Sequence, residues 1–372
     1  MAEANQREYT EKPMHNRSQT LAFLVLSLVA IPAVSDEGRI PIFAAPTVIA
    51  APGKYYVTGN LAIAAGSLVT ITVDNVDIDL NGFVLSSTAA APVITATGVN
   101  GVTIRNGTVS GGLSNIFIDT GTRIVLEDVQ AIGATGLGSS GIRLEDCTQI
   151  SVRRVMVRDA EFAGIAVING FAVPEAEGTL ADNLIEACGA GISVSSPVGT
   201  GMSSVSILDN RMKAIGTTGL FYSEGSGCVI ARNTLDGIGS YGMFLQTYRC
   251  TLRDNVVSGA GAGGFGIQQN GDDNLILNNV VANGGDRGFA ISGDRNNVEG
   301  NVANNNGSFG FTIFGTATLY RGNMARGNLG VAGDPPACAA PCSPDLCAPA
   351  ALGNTSAGDN FLPGPPGFPA CI

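Results

Sequence analysis

The residues of this sequence best suited to chemistry fall in one stretch, 219–268. Phe221 and Phe244 stand in matching contexts, GLFYS and GMFLQ. If both project outward from neighbouring strands, they offer a stacked platform for the faces of sugar rings. Around them lie Glu224, Gln246, Tyr248, Arg249 and Gln268. Tyr248 is a candidate base and Arg249 a candidate carboxylate clamp, the pair that proton abstraction beside a uronate requires. Glu224 is the acidic candidate of the same set, and Gln246 and Gln268 are its hydrogen-bonding contacts. The competing reading is an aromatic stack beneath a loop, with ordinary surface polar groups beside it. Tyr222, one residue from Phe221, is expected to point inward.

Two further clusters are weaker. Asp272 and Asp273 in GDDN and Asp294 in GDRN recur one repeat apart and are expected at one corner. Three carboxylates there would suit Ca2+, which takes oxygen ligands; the alternative is aspartates that simply favour turns. An adjacent Asp pair in a turn is a poor substitute for two carboxylates placed across a glycosidic bond. Arg143 and Glu145 flank Leu144 and should share an outer face, with Arg153, Arg154, Arg158, Asp159 and Glu161 beyond. Their alternating signs favour surface ion pairing over an anion trap. Arg143 remains a candidate carbohydrate contact. The sole histidine is His15, in a segment expected to be removed. Catalytic triads, His-ligated metals and histidine acid–base chemistry are therefore excluded.

Composition narrows the partners and the compartment. The net charge is -11, with 20 Lys and Arg in no cluster, so a nucleic-acid partner is not expected. Residues 21–35 (LAFLVLSLVAIPAVS) form an apolar stretch ahead of Asp36 and Glu37. A signal peptide over 1–35 follows, and with it a secreted, cell-surface or periplasmic protein with no stable membrane span after cleavage. The 8 cysteines suit that compartment. Cys338, Cys342, Cys347 and Cys371 lie in a Pro/Gly-rich tail and should form two disulfides, in any of three pairings. Cys228 and Cys250 are one repeat apart and stack as a disulfide or as two buried thiols. No cofactor is expected, Ca2+ excepted.

The elements that position these residues are short strands. A frame of alternating apolar residues, then Asn or Asp, then a glycine turn, recurs every 22 to 29 residues. It passes through Asn81, Asn106, Asn183, Asn210, Asn233, Asn255, Asn279, Asn301 and Asn323. These asparagines are expected to form one structural column, because a side-chain amide both donates and accepts. The glycines relieve tight corners. Each rung offers strands too short to survive alone, and stacking rungs closes the backbone ladders. The result is an all-β, single-stranded parallel β-helix solenoid of about eleven rungs over 65–330. A lead-in and cap are expected over 36–64 and a Cys/Pro/Gly-rich cap over 331–372. The insertions 169–180 and 196–204 read as loops bordering a binding face.

The rung motif and the opening YYVTGNLAI…VTITVDNVDIDLNGFVLS resemble the right-handed β-helix repeat proteins of the pectate-lyase-like superfamily, over residues 54–325. The right hand of the solenoid is what that resemblance implies. Superfamily members include polysaccharide lyases, hydrolases, uronan epimerases, tailspikes and non-catalytic surface proteins. The Gly-His-Gly of the galacturonan hydrolases is missing here. The expected function is binding of extracellular polysaccharide or another cell-surface component. The alternatives are a lyase or epimerase acting on a uronate polysaccharide, and a purely structural adhesin.

Overall fold

Short runs of alternating apolar residues set the local geometry. The strand Met243–Tyr248 buries Met243, Leu245 and Thr247 and turns Phe244, Gln246 and Tyr248 outward. The same alternation recurs coil after coil, so each strand has one face that must be covered and a backbone that must be paired. The computed structural model describes residues 38–170, 175–197 and 203–329, and the backbone of the strands Leu346–Cys347 and Thr355–Ser356. All lie in the second of two compact units, Val34–Ile372. They form an all-β parallel solenoid of about twelve turns, close to the eleven rungs expected. Each turn adds one strand to a 13-stranded parallel sheet and, in most turns, two to a 24-stranded one. The coil is already under way at Ile40–Ile42, which pairs with Gly53–Val57, inside the segment expected as lead-in. Of the expected loop 169–180, the part from Glu177 is a strand of the ladder.

Where the 24-stranded sheet bends, the chain takes a left-handed residue. Asp128, Arg154, Asp182, Asp209, Arg232, Asp254 and Asn278 hold φ between 51° and 57° in successive turns. Asn and Asp tolerate this region, whereas arginine has no such preference. Arg154 and Arg232 are held there by two-pronged ion pairs to the corner aspartates of the preceding turn, Asp128 and Asp209.

The next position around the corner points inward, and it carries the asparagine ladder. Asn210 Nδ2 donates to Asn233 Oδ1 at 3.0 Å and to the Leu180 carbonyl at 2.9 Å. Asn233 repeats the pattern onto Asn255, and Asn255 onto Asn279, both at 2.9 Å. Asn183, Asn301 and Asn323 extend the same column. Asn81 and Asn106 do not belong to it. Both are exposed, with φ of 54° and 60°, and stand at the corner position one residue earlier. At the ladder position the early turns carry Gly107 and Val129, which pair with each other. Val155 follows in that column, and its N–H already donates to Asn183 Oδ1 at 2.9 Å. Asparagine suits both the left-handed corner and the buried ladder, so spacing alone merges two adjacent columns.

Two further ladders run at other corners, Asn274 on Asn296 and Asn306 on Asn328. Cys228 and Cys250 form a disulfide between neighbouring coils, with Cα atoms 4.7 Å apart. Inside the coil, Phe289 and Phe311 stack at 4.8 Å. Tyr222 is fully buried, and its hydroxyl donates to the Ser203 carbonyl at 3.0 Å.

Candidate functional site on the outer face of the 13-stranded sheet

Register places one outward column along this sheet. Phe117 pairs with Arg143, Arg143 with Ala166, and Ala166 with Ser193. Ser193 then pairs with Phe221, Phe221 with Phe244, and Phe244 with Gln268. The two phenylalanines stack, with ring centroids 5.7 Å apart and planes 14° from parallel. Tyr241 meets Phe244 edge-on at 5.5 Å and Phe265 edge-on at 5.6 Å. The Arg287 guanidinium lies 5.1 Å from the Phe265 ring centre and 5.8 Å from that of Phe314. The aromatic set therefore extends beyond the two residues that stood out in the sequence. Tyr241, Phe265 and Arg287 each directly precede a strand-opening glycine, Gly242, Gly266 or Gly288. That repeated position was the available signal, masked by its likeness to a turn.

Beside Phe221 the side chains shrink to Ser193 and Ala166. This leaves a hollow of about 460 Å³, walled by Phe162, Glu161 and Thr217. Phe162 is 53% exposed at its rim. Residues 171–174 and 198–202, which follow the floor strands, lie outside the described residues.

The remaining site candidates lie along this sheet or at its corner and do not converge on one contact. Gln268 sits beside Phe244, and Gln246 beside Asn270. Tyr248 pairs with Ser226, whose hydroxyl receives a 3.2 Å hydrogen bond from Arg249 Nη2. Arg249 is at a corner, with φ of 52°. Glu224 sits in a β-bulge: register jumps from Tyr222 opposite Leu245 to Gly225 opposite Thr247. Its φ is 54°. A bulge re-aims the side chain it carries. Among the described residues, no hydrogen bond or ion pair joins Glu224, Tyr248 and Arg249 to one another.

The aspartate cluster does not converge. Asp273 is clasped by Arg295, Nε to Oδ1 at 2.7 Å and Nη2 to Oδ2 at 2.8 Å. That hydrogen bond holds the Asp273 carboxyl below its ordinary range. Asp272 accepts the Asp294 N–H, and Asp294 accepts the Thr316 N–H, each at 2.8 Å. Asp294 is likewise lowered by its bonds from Thr316. Among the described residues no three acidic, Cys or His side chains are grouped to hold a metal. Asp272, Asp273 and Asp294, the residues expected for Ca2+, are each engaged in rung-to-rung bonding, and Arg295 brings its own positive charge beside them.

Arg143 and Glu145 do share an outer face and pair directly, Nε to Oε1 at 2.7 Å. Cys338, Cys342 and Cys371 lie outside the described residues, as does the side chain of Cys347. So does the expected signal segment.

A right-handed β-helix region family model matches residues 198–333. That match covers about a third of the chain and lies largely within the coil described above, whose fold is a right-handed parallel β-solenoid. No curated protein matches it in sequence. Among solved structures it is similar to the periplasmic alginate epimerase AlgG, at 12% identity and TM-score 0.45, covering 90% of this chain and 84% of that one. It is also similar to the Azotobacter vinelandii mannuronan C-5 epimerase AlgE6 A-module, at 14% identity and TM-score 0.41, covering 88% and 90%. A third is the bacteriophage CBA120 tailspike protein 3, at 12% identity and TM-score 0.39, covering 90% and 56%. At these identities and TM-scores below 0.5, the likenesses carry nothing further to this chain. Among the described residues no helix is long and apolar enough to cross a membrane.

Proposed function

We propose that the outer face of the 13-stranded sheet binds an extracellular polysaccharide, and that the protein is exported to meet it. The observation that carries this reading is the stacked Phe221–Phe244 pair, partly exposed beside a hollow of about 460 Å³. Aromatic faces stack on the C–H faces of sugar rings, and a concave site with few polar groups is what ligand recognition uses. Gln246, Gln268 and Asn270 stand on the same face to take hydroxyl groups. The buried Cys228–Cys250 disulfide supports export, because such bonds persist in oxidising compartments.

Affinity electrophoresis and calorimetry against neutral and uronate polysaccharides test this. The double variant Phe221→Ala/Phe244→Ala should weaken binding at least about tenfold, the scale of a lost aromatic anchor. Unchanged affinity in that variant, or no binding by the wild type across the panel, would sink the proposal. The same samples, with and without Ca2+, should be followed for unsaturated product. Product that disappears in Tyr248→Phe and Arg249→Ala would replace the binding reading with a lyase.

A further inference from the structure

Further along the same outward column, four strands before Phe221, a second hollow of about 310 Å³ opens around Phe117. Its character differs from the first. Leu113, Phe117 and Leu137 supply its walls, and Leu137 is wholly exposed. The loop that carries it is tied down on both sides of Leu137. Leu137 sits between Gly136 and Gly138, with φ of 113° and 76°, a backbone that other residues rarely adopt. A Cβ on Gly136 would stand 3.1 Å from Leu113 Cδ1, so that side of the loop lies on Leu113. The Gly138 carbonyl accepts a 2.9 Å hydrogen bond from Arg143 Nη1, which ties down the other side.

Arg143 has the chemistry of an anion clamp, but its bonding argues otherwise. Nε and Nη2 both donate to Glu145 Oε1, and Nη1 is committed to Gly138. Its charge is met by Glu145, and its carbon lies 6.0 Å from the Phe117 ring centre. What faces the hollow is an apolar rim over a neutralised ion pair. A carboxylate or sulfate would meet Glu145 there and lose its hydration without a free partner. A small apolar group would lose nothing.

We infer that this hollow is a subsite for an O-acyl substituent on the glycan that the Phe221–Phe244 shelf binds. The inference rests on the polysaccharide reading and names the class of glycan: an acylated one. The shelf grips the ring faces, and the Leu137 cup, about 20 Å away at the spacing of parallel strands, selects the decoration.

The test uses partially O-acetylated glucomannan and O-acetylated pectin, each before and after mild alkaline deacetylation. Wild type should bind the acetylated form of at least one of them at least about fivefold more tightly. Leu137→Ser, a fully exposed change that leaves the core intact, should erase that difference while keeping affinity for the deacetylated form. Equal affinity for both forms in the wild type overturns the acyl subsite and leaves the shelf standing. A separate arm uses the Phe221→Ala/Phe244→Ala variant and saturation-transfer NMR with glucose pentaacetate against glucose. Contact by the pentaacetate that disappears on adding Leu137→Ser supports the cup even if no polymer binds. Contact that persists with Leu137→Ser overturns it, as does no contact at all.

Discussion

Cys147 and Cys188 are the two cysteines of the described body that form no disulfide, and both are buried. Cys147 Sγ donates to the Glu145 carbonyl at 3.1 Å. Burial pushes its thiol from the ordinary 9.0 up to about 12, and that of Cys188 up to about 11. A thiol that stays protonated is a poor nucleophile. Neither residue should react with iodoacetamide in the native protein at pH 8, and both should react once it is unfolded. The same shifts set an alkaline limit. The folded state favours the neutral thiol, so this contribution is complete below pH 9. It declines as the unfolded chain ionises and is spent once pH passes the folded values near 11 and 12. In thermal melts, the Tm of wild type should therefore fall more steeply between pH 9 and 11 than that of Cys147→Ala/Cys188→Ala. Parallel declines would show that the thiols do not contribute.

The asparagine ladder carries the tightest constraint among the elements. Asn255 has three roles: Oδ1 accepts from Asn233 N and Nδ2, Nδ2 donates to Asn279 Oδ1, and Nδ2 also meets the Ile230 carbonyl. Asn255→Ala strands those groups in a buried corner, at a cost of about 2–4 kcal/mol on the scale of buried unsatisfied groups. Asn106→Ala, at an exposed corner, should cost about 1 kcal/mol or less, mainly from the left-handed backbone. Urea unfolding midpoints decide this, and equal losses would contradict the two-column assignment. The same pair shows what was legible in the sequence. Alternation and spacing are one-dimensional, so strands, coil number, the inward Tyr222 and the outward Phe221 and Phe244 could be read directly. The frame shift between Asn106 and Asn183 could not, because Val129 and Val155 leave no polar mark at the ladder position. Tyr241 and Arg287 escaped notice because each sits just ahead of a strand, at a position that reads as a turn, and meets Phe265 of a neighbouring coil. For the aspartates at 272, 273 and 294, sequence shows that they stack but not that Arg295 pairs with Asp273 and Asp272.

At the scale of the whole molecule, a solenoid's coils contact mainly their neighbours, so stability is close to a sum over coils and their interfaces. The later coils are nearly interchangeable. Val280 pairs with Val302, and Asn279 lies 22 residues before its ladder partner Asn301. Deleting residues 280–301 would join Asn279 to Val302. Asn279 would then take the place of Asn301 above Asn323, whose Oδ1 now accepts from Asn301 at 3.0 Å. The Phe289–Phe311 stack would be lost, but Phe311 would face Ile267, one coil back in the same inward column. Such a protein should fold one coil shorter, keep a cooperative urea transition, and retain the Phe221–Phe244 shelf with its glycan affinity. Deleting 280–300 instead displaces the join by one residue. Side chains alternate with period two, so the following strand would turn its apolar face to solvent. That variant should lose cooperativity or fail to accumulate as soluble protein. Circular dichroism and limited proteolysis distinguish the two outcomes. If both deletions behave alike, the coils are held by something other than register and the asparagine ladder.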